Sequence, residues 1–191
     1  MEGGVKLDLF SHKLSFTACY YEITVDNVTR PESVEKNGTS YNITVQDGSQ
    51  VSKGIEVDAV ANPLPGLNIV AGYSYNDTRN KKSDPNVVDR RPNSAGLRNL
   101  ANGWISYTLL DGKVKGLGVG VGGNYGSYNM VTNSLATGTF TLPAYKVLNA
   151  TIFYNVGVKV DNLSNEQYYK GWSTFEPQMP RRVSASVAFR F

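Results

Sequence analysis

One cysteine and one histidine are all that the 191-residue chain offers of the side chains most used for nucleophilic and metal chemistry. A lone Cys19 makes neither an internal disulfide framework nor a cysteine metal cluster. His12 lies in the turn signal Ser11-His12-Lys13 with no partner histidine, and reads as an exposed turn residue. Gly118, Gly120 and Gly122 superficially suggest a phosphate loop. They alternate inside a strand pattern, however, with no following helix and no GxxxxGK(S/T) spacing. No Ser-His-Asp order, no HExxH and no supported pair of carboxylates is present. Asn-x-Ser/Thr sequons at Asn27, Asn37, Asn42, Asn76, Asn149 and Asn162 are read as coincidence in a chain rich in Asn and Thr. These residues make no plausible catalytic set.

The elements that would position a binding site are strands. From Arg182 to Phe191 the chain alternates without a fault: Val183, Ala185, Val187, Phe189 and Phe191 on one parity, Arg182, Ser184, Ser186, Ala188 and Arg190 on the other. Period 2 turns the first set to one face of a strand and the second to the other. The same period recurs in Val5 to Leu9, Leu14 to Tyr20, Ile55 to Ala61, Leu67 to Tyr75, Ala101 to Leu109, Leu117 to Tyr125, Ala144 to Tyr154 and Gly157 to Asn162. No run approaches the ~18 apolar residues of a spanning helix. With net charge +3 and 18% charged residues, no strong field argues for nucleic acid.

Connections alternate in length. Short turns fall near 11–13, 63–66, 111–115 and 155–157; long polar segments fall near 29–50, 79–98, 130–140 and 164–180. Long loops at one end, short turns at the other and one apolar face per strand describe an outer-membrane barrel. Tyr73, Tyr75, Tyr107, Tyr125 and Tyr154 lie toward strand ends, as an aromatic girdle would. The fold expected is all-β: an antiparallel up-and-down transmembrane β-barrel segment of about nine strands. One place breaks the pattern. Ile152, Tyr154, Val156, Val158 and Val160 keep one parity through the turn, so several residues are expected to be missing near Asn155–Gly157.

Val158-Lys159-Val160-Asp161-Asn162-Leu163-Ser164-Asn165-Glu166-Gln167-Tyr168-Tyr169, then Pro180-Arg181-Arg182 and Ala188-Phe189-Arg190-Phe191, resemble the C-terminus of TonB-dependent outer-membrane receptors of the siderophore type. Glu2-Gly3-Gly4-Val5-Lys6, Ser52-Lys53-Gly54-Ile55-Glu56-Val57, Gly72-Tyr73-Ser74-Tyr75 and Leu142-Pro143-Ala144-Tyr145 match the family's barrel in order. The resemblance covers essentially the whole chain. It implies a barrel of about 22 strands, occluded by an N-terminal plug, of which residues 1–191 would form the last two-fifths. Nothing in the sequence resembles the plug, and Met1-Glu2-Gly3-Gly4 is no secretory signal, so a segment of a longer protein is expected. An arc of this size should stay open, because unpaired edges in lipid cost several kcal/mol per backbone group.

The function implied is capture and TonB-dependent uptake of a ferric siderophore, with iron present only as the bound chelate and no further cofactor. Anionic chelates favour arginine and aromatic residues in extracellular loops. The candidates are Arg79, Arg90, Arg91 and Arg98 in the second long loop, Tyr128 at the third, and Trp172 and Phe175 at the last. Glu56, Asp58 and Arg182 face the lumen by parity, toward the plug, and Arg181 would snorkel to headgroups. Lumen-facing Gly118, Gly120 and Gly122 would leave room for the plug or a lining loop. Phe189 and Phe191 are the terminal signal for the barrel-assembly machinery. Other expected partners are the TonB complex, through the plug, and outer-membrane lipid, with the C-terminus periplasmic in a Gram-negative cell. The competing reading is an adhesin or carbohydrate-binding β-sandwich, and a simple porin is the third. A sandwich buries its alternating aliphatics against a second sheet; a barrel leaves them outside.

Overall fold

The computed structural model describes residues 1–154, 156–171 and 174–188, with the side chain of Val156 excepted. Among the described residues thirteen strands run in chain order: β1 (Glu2–Leu9), β2 (Leu14–Lys36), β3 (Thr39–Ala61), β4 (Leu67–Lys82), β5 (Asn99–Thr108), β6 (Gly118–Gly126), β7 (Asn129–Ser134), β8 (Gly138–Leu142), β9 (Tyr145–Phe153), β10 (Val156–Asp161), β11 (Tyr169–Lys170), β12 (Glu176–Pro177) and β13 (Arg182–Val187). Nine of them form a single antiparallel sheet, ordered β1-β2-β3-β4-β5-β6-β9-β10-β13. The short ladders β7–β8 and β11–β12 stand apart in the loops. Among the described residues β1 and β13 are the two edges and do not pair, so the sheet is open as expected.

Register carries the sequence alternation across the sheet. Val5, Ala18, Val57, Tyr73, Ala101 and Tyr125 are successive cross-strand partners from β1 to β6. Val119, Ile152, Val158 and Ala185 continue the same face from β6 through β9 and β10 to β13. The other face runs through Lys6, Thr17, Asp58, Gly72, Asn102 and Asn124. A one-residue slip would exchange these faces, so their continuity over nine strands fixes the register. The apolar face is bare: Val5 is 48% exposed, Ile105 43%, Val119 50% and Ile152 48%. No second layer covers it among the described residues, which removes the sandwich. The hydrophobic side chains that are buried, Leu142, Tyr145 and Val147, all lie where β8 passes into β9.

The segment 29–50, expected as a loop, is instead a hairpin. β2 and β3 have 23 residues each and meet at Asn37-Gly38, whose φ values of 53° and 74° suit a type I′ turn. A tilted membrane strand needs only ~9–11 residues. β4 accompanies β3 no further than Ser49↔Lys82, so the tip beyond it pairs only with itself. The segment 130–140 is likewise a hairpin, β7–β8. At the opposite end of the sheet the connections are short, including the turn at Phe10–His12, where three residues in succession have positive φ. His12 there is exposed and lies against the Asp8 carboxylate.

The parity that runs through residues 152–160 has a geometric reason. Phe153 pairs with Gly157 and Ile152 with Val158, so residues of equal parity on β9 and β10 are partners and share a face. Asn155, in the middle of the expected gap, lies outside the described residues.

Glycines on the polar face of β6 admit aromatic rings from neighbouring strands. A Cβ at Gly118 would lie 2.1 Å from the Phe153 ring, and one at Gly122 would lie 2.4 Å from the Trp104 ring and 2.3 Å from the Gly103 carbonyl oxygen. The space expected to serve a plug or lining loop is thus taken up within the wall itself.

Candidate functional site

All long connections leave the same end of the sheet, and hydrogen bonds knit three of them together. Arg91 is the anchor. It is 4% exposed and donates to the backbone oxygen of Asn76 (2.8 Å), to Asn76 Oδ1 (3.1 Å) and to the carbonyls of Ala95, Gly96 and Leu97 (3.1–3.3 Å). Burial, with Arg98 nearby, lowers its pKa from the usual value. A guanidinium stays charged under such a shift, and five acceptors meet its fork. It folds residues 91–97 back onto β4 at Asn76, just past the last β4–β5 pair at Tyr75.

Arg79 and Arg98 are also engaged. Asp77 takes Arg79 Nε at 3.2 Å on one oxygen and Arg98 Nη2 at 3.1 Å on the other. Arg79 shares its strand parity with Tyr73 and Tyr75 and so belongs to the apolar face, above the tyrosines. Arg90 donates to Asn133 Oδ1 at 2.9 Å, and Asn133 Nδ2 donates to the Arg91 carbonyl at 3.0 Å. With Leu135 N on Asn86 O and the bridge Leu97↔Asn129, these bonds tie β7–β8 to the 83–98 loop.

The last loop closes on Asn162, which has φ 52° and is 4% exposed. Its Nδ2 donates to Glu166 O (2.9 Å) and Met179 O (3.1 Å), and its Oδ1 accepts from Glu166 N (2.8 Å). One side chain therefore holds both ends of residues 163–179. Aromatic contacts join this loop to the others: Phe175 meets Phe140 of β8 at 5.7 Å between centroids, and Tyr168 stacks on Tyr145 at 4.5 Å.

Of the remaining candidates, Tyr128 is 44% exposed and Phe175 47%. Glu56 and Asp58 lie on the polar face, opposite Ser74 and Gly72. Arg182 is also on that face, with Nη2 2.9 Å from Asp161 Oδ2 across the β10–β13 pair, while Lys159 holds the other oxygen at 2.7 Å. The backbone N–H of Arg181 is capped by Asn165 Oδ1 at 2.9 Å. Trp172, Phe189 and Phe191 lie outside the described residues. Of the side chains that organise the loops, Asn129 and Asn133 carry no signal in the sequence beyond the abundance of asparagine in the polar segments. Asn76 and Asn162 stand there only as sequons, with Asn162 also inside the C-terminal motif.

An open nine-stranded sheet with one apolar face, one polar face and its long loops at one end matches a described family. Residues 1–165 match the model for "TonB dependent receptor-like, beta-barrel". The chain belongs to the TonB-dependent receptor β-barrel family. A ferrioxamine B receptor of Salmonella typhimurium is 30% identical over 87% of the chain and 24% of its own length. The ferrichrome outer membrane transporter/phage receptor of Escherichia coli K12 is 27% identical over 90% of the chain and 26% of its own length. The chain thus spans about a quarter of the length of these relatives. The ferripyoverdine receptor of Pseudomonas aeruginosa superposes with TM-score 0.73 at 20% identity, over 96% of this chain and 26% of that one. The siderophore receptor PiuA of Acinetobacter baumannii gives 0.73 at 21%, over 96% and 27%. The barrel fold of the family makes the apolar face the lipid side and the polar face the lumen side.

Proposed function

We propose that this chain is the C-terminal part of the barrel of an outer-membrane receptor that takes up a ferric siderophore under the control of TonB. The observation that carries the reading is the pairing of an uncovered apolar face with a set of interlocked loops at one end of the sheet. A lipid-facing wall topped by a preorganised loop cluster is what capture from outside the cell requires. In this reading the loop end is extracellular, the short turns and the C-terminus are periplasmic, and outer-membrane lipid is a standing partner. The TonB complex acts through an N-terminal plug, and the barrel-assembly machinery reads the terminal Phe189 and Phe191. Iron enters only as the bound chelate, without a resident cofactor, and nucleic acid has no part.

Arg90, Tyr128 and Phe175 are the loop residues we assign to ligand contact, with Trp172 of the last loop. Arg91 and Arg98 act on the loops themselves, and Arg79 sits on the outer face. Glu56, Asp58 and Arg182 line the lumen toward the plug. Relatives named for ferrioxamine B and ferrichrome support the choice of siderophore. The test is uptake of iron-55 chelated by ferrioxamine B or ferrichrome, in cells whose only hydroxamate receptor is the full-length protein. Uptake that disappears when TonB is deleted is expected; uptake indifferent to TonB, or absent for every ferric chelate, overturns the reading.

A further inference from the structure

The short turns carry a different kind of surface from the loops. Phe10, Ser11 and His12 have φ of 55°, 55° and 65°, a left-handed run that non-glycine residues rarely adopt in succession. Phe10 is 73% exposed on this turn, and Leu64, in the turn between β3 and β4, is 61% exposed. Phe10, Lys13, Leu14, Ala61 and Pro63 line a notch of about 290 Å³. Leu14 and Ala61 are cross-strand partners on the apolar face, so the notch belongs to the lipid side of the wall. Its one charged residue, Lys13, makes no ion pair among the described residues, and the Asp8 carboxylate lies on the polar face against His12. Toward the loops, by contrast, Lys53, Lys81, Lys82 and Arg98 each meet a carboxylate.

We propose that this notch seats an anionic phospholipid of the periplasmic leaflet, its phosphate on the Lys13 ammonium and the root of an acyl chain against Phe10, Leu14 and Pro63. The proposal rests on the receptor reading above, which turns this rim to the periplasm, and adds the class of lipid held there. Three observations select that chemistry. The walls are aromatic and aliphatic and continue the face that meets lipid, so an apolar chain is the fitting occupant. The ammonium at the edge is unpaired, and a lysine at the level of the headgroups attracts anionic lipid. No carboxylate lines the notch, so the ammonium of a zwitterionic headgroup finds no partner beside Lys13. The rim as a whole has the same bias: against Lys13, Lys113 and Lys115, the turn segments 10–13, 62–66 and 109–117 set a single acidic residue, Asp111.

The test is native mass spectrometry of the full-length receptor in detergent, its folding checked by heat-modifiable mobility. Affinity for the first bound lipid is read for phosphatidylglycerol, phosphatidylethanolamine and lipid A. The parent should prefer phosphatidylglycerol to phosphatidylethanolamine. Lys13→Gln should weaken phosphatidylglycerol about fivefold, the effect of one lysine at an anionic lipid surface. Phe10→Asn should weaken it too, and asparagine tolerates positive φ, so the ring is removed without disturbing the turn. Lys36→Gln, at the far tip of β2, should change nothing. Equal affinity for the two phospholipids, or in parent and Lys13→Gln, overturns the seat and leaves the receptor reading in place. An equal loss in Lys36→Gln overturns it in favour of diffuse attraction, and a loss confined to lipid A overturns the choice of lipid. Ser11→Cys should react with a membrane-impermeant maleimide only in permeabilised cells. Reaction in intact cells overturns the periplasmic placement of the turns, and the seat with it.

Discussion

The guanidinium of Arg91 grips Asn76 twice, on its backbone oxygen at 2.8 Å and on its side-chain Oδ1 at 3.1 Å. Asn76 lies in β4, and Arg91 follows fifteen residues later, beyond the end of that strand at Lys82, so this contact decides where the loop returns. An arginine that the sequence offers as a ligand contact is thereby a strut.

Arg91→Ala leaves the carbonyls of Ala95, Gly96 and Leu97 without their donor, at about 1–3 kcal/mol for each that water cannot reach. Hydrogen exchange across residues 83–98 should rise by at least tenfold in the assembled receptor, with the sheet unaffected. Arg91→Lys should rescue little, because an ammonium lacks the planar fork that reaches five acceptors. Unchanged exchange in both variants would return Arg91 to the list of free ligand-binding cations.

Val187 and Ser186 are neighbours on opposite faces of β13, paired with Val156 and Gly157. Val187→Arg puts a charge on the lipid face, worth about 2–4 kcal/mol at the bilayer midplane. It should abolish heat-modifiable mobility of the receptor in outer-membrane fractions, whereas Ser186→Arg should retain it. Equal loss in the two variants would remove the lipid-face assignment.

Gly118 and Gly122 separate two kinds of close packing. At Gly118 the obstacle to a methyl group is the Phe153 ring, and at Gly122 it includes the Gly103 backbone oxygen. Gly118→Ala should therefore lower the yield of folded receptor and be restored by Phe153→Leu. Gly122→Ala should be as harmful and stay so with Trp104→Leu, because a carbonyl in the ladder cannot step aside. Folded yield is read from the heat-modifiable band.

Asp47 is clamped by Arg30 Nε at 2.6 Å and Lys82 Nζ at 2.7 Å, at the root of the projecting β2–β3 tip. These hydrogen bonds, Arg30's foremost, hold its pKa at about 2 against the usual 3.8. A carboxyl whose folded pKa is depressed contributes fully above its unfolded pKa, and the contribution fades as pH falls toward the folded one. Protease resistance of residues 29–46 should thus hold at pH 5 and decline between about pH 4 and pH 2. Asp47→Asn should flatten that dependence; a parent profile identical to the variant's would dissociate the clamp from the tip.

Much of the wall was legible from residue order alone. Period-2 alternation is a local property, written into each strand by the opposed directions of successive side chains, and it survived into the register from Val5 to Tyr125. The long hairpin is hidden by the polar composition of residues 29–50, which suits a loop, and only the Asn37-Gly38 turn signal marks it in the sequence. The binding loops were legible only as an inventory. Which arginine stays available depends on partners such as Asp77, Asn76 and Asn133, brought close by strand pairing across tens of residues. The sequence by itself determined which face of each strand meets lipid, since a neighbour two residues away is enough to define it. Only the tertiary structure decided that Arg91 is a strut, that Asn162 closes the last loop, and that Asn133 ties the third long connection to the second. Each of those depends on the distances at which separate loops converge, and residue spacing along one chain does not encode them.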